Sequence, residues 1–209
     1  IMKMMSPFGI DPQPEDIYWE TPYSSYGQQD YTFAKAKQAS DFRQRQYEIC
    51  AQGTGGSYRQ PDYGPCFTVA DSSYLVEPIP GLWLLAVDAN VYVPREDADL
   101  TNPQSAKNFA GSGDAGYNKM LTHKQQVVAW MTSVAMRAKE QKKTLITFSH
   151  FPMVEFDNGA ASDLESIFGK GKFQLKRAPK EDTSHALAKT GIGVHVGGHM
   201  PFNDTGVRK

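Results

Sequence analysis

Three short apolar runs constrain this chain more than anything else in it. Leu82–Val87, Leu145–Phe148 and Ile192–Val196 are rich in strand-forming residues and too short for helices. Between the first two, Val127, Met131, Val134 and Ala138 recur at helical spacing. Between the last two, Ser184 to Lys189 reads as helix, with Gly191 as its stop. Strand, helix, strand, helix, strand in this order predicts an α/β domain. Thr122-His123-Lys124-Gln125 has the form of a capping box opening the first helix, and the lysine-rich EQKK suits its C-terminal dipole.

Upstream, Cys66–Val69 and Tyr74–Ile79 read as strands, and Pro80-Gly81 turns the chain into the first apolar run. Ser40 is placed to cap a helix running to about Cys50, with Phe42 and Ile49 on one face. Residues 94–120 are polar and glycine-rich and read as one long loop. The chain divides at about residue 40. Residues 1–39 form an irregular, aromatic-rich lid or loop segment, dense in proline and glycine, and 40–209 form the domain proper. There is no internal repeat.

Lys and Arg number 22 against 23 Asp and Glu, a formal net charge of -1. No global charge therefore favours a nucleic acid or an anionic membrane. The longest apolar runs fall far short of the roughly 20 residues a membrane helix needs. No signal peptide is visible, and because the chain begins at Ile1 rather than methionine this says little about targeting. Localisation stays open. Two cysteines, Cys50 and Cys66, are too few for a disulfide framework or a zinc knuckle. Two buried thiols are the plainer expectation. A single bridge is the alternative, and the redox compartment is undecided between them.

Two of the apolar runs end in a histidine: Ser149-His150 closes one, Gly197-Gly198-His199 the other. Ligands in open α/β sheets sit beyond the carboxyl ends of the strands. If the two strands are neighbours, His150 and His199 converge, and paired imidazoles suit zinc, iron, manganese or nickel. A lone histidine at a strand end is more often a hydrogen-bonded edge residue; the repeated pattern is what singles out this pair. His195 alternates with His199 along its strand and is expected in packing. His123 is expected to be solvated at the helix cap, and His185 to lie near a helix start. Asp88 and Asn90 close a strand and are weaker candidates for lining a cleft. Trp83 is read as core, and Lys170, Lys172, Lys176, Arg177 and Lys180 as a solvated basic loop rather than a phosphate attractor.

Phe148-Ser149-His150-Phe151-Pro152, followed by Gly198-His199 and Asn203-Asp204, resembles the C-terminal half of a calcineurin-like metallophosphoesterase. The likeness extends through SDFRQRQY, GLWLLAVDAN and LTHKQQVVAWM, in the family's order, over about residues 40–207. It implies part of a four-layer α/β/β/α fold, a β-sandwich flanked by helices. It also implies two divalent or trivalent metals (Mn, Fe, Zn or Ni) and a hydroxide that attacks a phosphate-ester substrate. In the paired geometry, metals about 3.5–4 Å apart stabilise both the attacking and the leaving oxygen. His150 and His199 would ligate one metal.

Two departures qualify that implication. The family's G-H-x-H reads Gly198-His199-Met200-Pro201 here, and proline offers no side-chain donor. Asn203 or Asp204 could substitute through oxygen, although a polar turn is the plainer reading. The motifs D-x-H, G-D-x-x-D and G-N-H are absent from the 209 residues. Two histidines do not complete a metal shell. The resemblance then implies that the remaining ligands lie upstream of Ile1 or on a complementary chain, and that this chain alone does not hydrolyse phosphate esters. A degenerate, non-catalytic binding or assembly domain is the alternative. A hydrolase using Ser149 with His150 ranks last, because neighbours on a strand point to opposite faces. Catalytic and substrate-binding residues are not identified by sequence.

Overall fold

The computed structural model describes residues 18–21, 24–25, 46–111, 116–153 and 181–198. These form a mixed α/β structure of two sheets and three helices. The strands are β1 (Tyr18–Thr21), β2 (Ser24–Ser25), β3 (Gln46–Cys50), β4 (Gly53–Thr54), β5 (Cys66–Ala70), β6 (Tyr74–Ile79), β7 (Leu82–Ala86), β8 (Thr144–Ser149) and β9 (His195–Gly197). The helices are α1 (Tyr117–His123), α2 (Gln125–Glu140) and α3 (Glu181–Ala188).

The larger sheet has the order β2-β1-β6-β7-β8-β9. Its β7–β8 and β8–β9 pairs are parallel, as expected for strands joined through helices. The β1–β6 and β6–β7 pairs are antiparallel, the latter joined at Pro80-Gly81. Gly81 has φ 86°, a turn conformation that glycine adopts without a side-chain clash. The smaller sheet, β4-β3-β5, is antiparallel throughout.

The core lies on one face of the larger sheet. Leu75, Trp83, Leu85 and Val87 point into it and meet Val127, Met131, Val134 and Ala138 of α2. All four helix positions picked out by periodicity are buried. Tyr47 and Ile49 of the smaller sheet close the same core. Glu77 is buried beside Trp83 and is fully bonded: Lys143 Nζ lies at 2.7 Å, and Gly81 N and Trp83 Nε1 each at 2.8 Å. Burial raises its carboxyl pKa, but these three donors outweigh burial and hold it below the usual carboxylate value.

Among the described residues, the opposite face is less covered toward β9. The register puts Tyr74, Ala86, Phe148 and Val196 in one row across it. Tyr74 and Ala86 are 4% and 8% exposed, Phe148 is half-buried, and Val196 is 58% exposed.

Several expectations are corrected. Gln46–Cys50 is strand, not the end of a helix: Tyr47 and Ile49 are buried in alternation while Gln46 and Glu48 are only half-buried. Tyr18–Thr21, inside the segment read as irregular, is a sheet strand paired with β6. The long loop ends early, because Tyr117 and Met120 are buried on α1. The capping box does not form. Lys124 is the N-cap of α2, and the Gln125 N–H donates instead to Thr54 Oγ1 at 3.1 Å. The Thr122 hydroxyl lies 3.2 Å from the Lys119 carbonyl within α1. The cysteines are not thiols. Cys50 and Cys66 face each other across β3 and β5 and are joined by a disulfide. The last strand is shorter than read, since residues 192–194 precede β9.

Candidate functional site

β7 and β8 end side by side, with the Val87 N–H donating to the Phe148 carbonyl at 2.9 Å. β8 and β9 end together as well, with Ser149 opposite Gly197. His150 therefore stands at the carboxyl edge of the parallel strands, exposed, with its ring edge-on to Phe151 at 4.9 Å. His199 lies outside the described residues, as do Pro201, Asn203, Asp204 and the basic stretch 170–180.

The two glycines before His199 are required by close packing. A Cβ on Gly197 would stand 3.0 Å from Pro152 Cα. One on Gly198 would stand 3.3 Å from the His150 carbonyl oxygen and 3.6 Å from its Nδ1. What approaches these glycines is the His150-Phe151-Pro152 segment of the neighbouring strand. The absent side chain at 198 leaves room beside the His150 ring nitrogen.

Beneath this edge lies a hydrogen-bonded set that sequence reasoning missed. Ser149 Oγ is 2.9 Å from Tyr117 Oη, 3.1 Å from His195 Nε2 and 2.5 Å from the Phe151 carbonyl. His195 Nε2 is also 3.2 Å from that carbonyl, and its Nδ1 is 2.8 Å from Thr147 Oγ1. A proton on Nε2 serves the Phe151 carbonyl and Ser149 Oγ, while Nδ1 faces a Thr147 hydroxyl that also lies 2.9 Å from the Val194 carbonyl. Burial pushes the His195 pKa down to about 4, with the hydrogen bond to the Phe151 carbonyl acting in the opposite direction. Burial likewise raises the Tyr117 phenol above its ordinary value. His195 does sit in packing, as expected, but as a polar bridge between β8 and β9. Ser149 shares a face with His195 rather than His150. The available signal was the two-residue period: positions 147, 149 and 195 fall on one face once β8 and β9 are paired.

Asp88 and Asn90 are committed to structure. Asp88 accepts from Ser72 N–H at 3.1 Å and from Asn90 Nδ2 at 2.8 Å. Burial raises its pKa, but Lys124 and these hydrogen bonds outweigh burial and lower it. Lys124, fully buried, lies 2.6 Å from Asp71 Oδ2 and donates to the Asp88 carbonyl at 2.7 Å. Its Nζ is 5.0 Å from the centre of the Tyr47 ring. Burial disfavours the ammonium, yet Asp71 and Asp88 hold its pKa well above the ordinary lysine value. His123 is buried rather than solvated, with Nδ1 2.7 Å from Thr122 Oγ1 and Nε2 3.3 Å from the Ala51 carbonyl. His185 is exposed in the last turn of α3, not at a helix start.

Among the described residues one His/Cys/Asp/Glu group has metal-like spacing: Glu48, Cys50 and Cys66. Its two sulfurs are spent in the disulfide and cannot ligate. His150 fits a metal in donor type, exposure and the space beside its ring. It is one donor where a bound ion needs about four. No described helix is long and apolar enough to cross a membrane. Compared with protein-family models, curated proteins and solved structures, the chain matches none.

Proposed function

We propose that this chain is part of a calcineurin-like metallophosphoesterase, a metal-dependent hydrolase of phosphate esters, and supplies one side of its metal centre. The parallel pairing of β8 with β9, Ser149 opposite Gly197, carries this reading. It brings the ends of two histidine-terminated strands to one sheet edge, where His150 and His199 serve as ligands of a shared divalent or trivalent ion. The partly covered face running to Val196 suits a layer of a four-layer α/β/β/α sandwich. The other ligands come from a segment or chain bearing the D-x-H, G-D-x-x-D and G-N-H motifs that these 209 residues lack.

Titration of the purified chain with Zn2+ or Mn2+, followed calorimetrically, tests the reading. A single weakly held ion is expected, lost in His150→Ala and in His199→Ala. Absence of binding, or binding indifferent to both substitutions, overturns it in favour of a non-catalytic binding or assembly domain. The chain alone is expected to leave an activated aryl phosphate intact in Mn2+. Robust turnover would overturn the assignment of the remaining ligands to another segment or chain.

A further inference from the structure

We infer that Ser149, Tyr117 and His195 are positioning residues for His150, fixing its imidazole at the sheet edge through the backbone on either side of it. The inference rests on the proposed role of His150, but its geometry does not.

His150 sits between two tied residues. Ser149, before it, and the Phe151 carbonyl, after it, are bonded to each other and both reach His195 Nε2, at 3.1 and 3.2 Å. The three-residue turn is thus closed on one imidazole, with His150 at its tip. That imidazole is itself held at Nδ1 by Thr147, one strand over. Tyr117, 1% exposed on α1, anchors the set to the core through its hydroxyl, 2.9 Å from Ser149 Oγ. On the far side, a Cβ at position 198 would stand 3.3 Å from the His150 carbonyl and 3.6 Å from its Nδ1, so glycine there keeps the space beside the ring open. Such a turn holds a side chain to a narrow set of directions before any ligand arrives, which is what a metal-binding residue requires. The bonds converge on His195 Nε2 and Ser149 Oγ, directly under the turn that carries His150.

Side-chain three-bond couplings of His150, read by NMR on the metal-free chain, test this directly. The parent is expected to show a single χ1 rotamer. Ser149→Ala and Tyr117→Phe are expected to give averaged couplings at His150 while remaining folded, and Ser149→Thr to restore the single rotamer. Zn2+ affinity should fall about tenfold in Ser149→Ala, the usual scale for losing an outer-shell partner. Unchanged His150 couplings in folded Tyr117→Phe and Ser149→Ala overturn the inference. If the couplings respond as expected but Zn2+ leaves the His150 ring unperturbed in the parent, positioning stands and the metal reading falls.

Discussion

Lys124 Nζ lies 2.6 Å from Asp71 Oδ2, and both side chains are fully buried. The pair joins the entry of β6 to the start of α2. Its ammonium also caps the Asp88 and Asn90 carbonyls, at 2.7 and 3.3 Å, just past the end of β7. Removing one partner strands a charge in the interior. Lys124→Met is expected to destabilise the chain by about 3–5 kcal/mol. Lys124→Met with Asp71→Leu should lose clearly less, measured by urea unfolding of both variants.

The Cys50–Cys66 bridge closes a loop with a sequence separation of 16. By the chain-entropy account a loop of this size is worth about 3 kcal/mol. Dithiothreitol should lower the unfolding midpoint accordingly. Cys50→Ser with Cys66→Ser should reproduce the reduced value and remove the sensitivity to reductant.

His195 makes stability depend on acid. Its pKa is depressed in the fold, from 6.5 to about 4. The unfolded chain therefore binds the proton more readily, and stability falls as pH drops from about 6.5 toward 4. His195→Gln should flatten that part of the pH profile while costing some stability at neutral pH. Thermal unfolding at half-unit pH steps measures both.

Much of the domain was legible because its signals are local. The spacing of Val127, Met131, Val134 and Ala138 finds α2, and the run from Leu82 finds β7, since each buries one face along a single element. The helix read into residues 40–50 rested on Phe42 and Ile49 alone. Tyr47 and Ile49, the alternating pair that β3 buries, carried the better signal. Thr122 and Gln125 had the composition of a cap, but α1 takes Thr122, and the Gln125 N–H goes to Thr54 Oγ1 on β4. Burial of Lys124 could not be read at all: it depends on Asp71, distant in sequence and brought near only by folding. The shared edge was legible only as two apolar strands that end close together. The Ser149–His195 contact was not, because it needs the β8–β9 register.

Gly197 offers a test of the sheet edge. An added methyl would meet the Pro152 backbone at 3.0 Å, a contact that must be relieved by movement. Gly197→Ala is expected to cost about 1–3 kcal/mol. It should also shift the amide resonances of His150 and Phe151 while sparing those of α2, read from a two-dimensional NMR spectrum.

Forming the bond between β3 and β5 takes two electrons from the chain, and a cytosol kept reduced by thiols offers them few acceptors. A preparation from such a host is expected to carry two thiols at facing positions of paired strands. Secretion into an oxidising medium, or oxidative refolding, supplies the missing electron acceptor. The host chosen for expression thus decides which of two covalent molecules every other measurement describes.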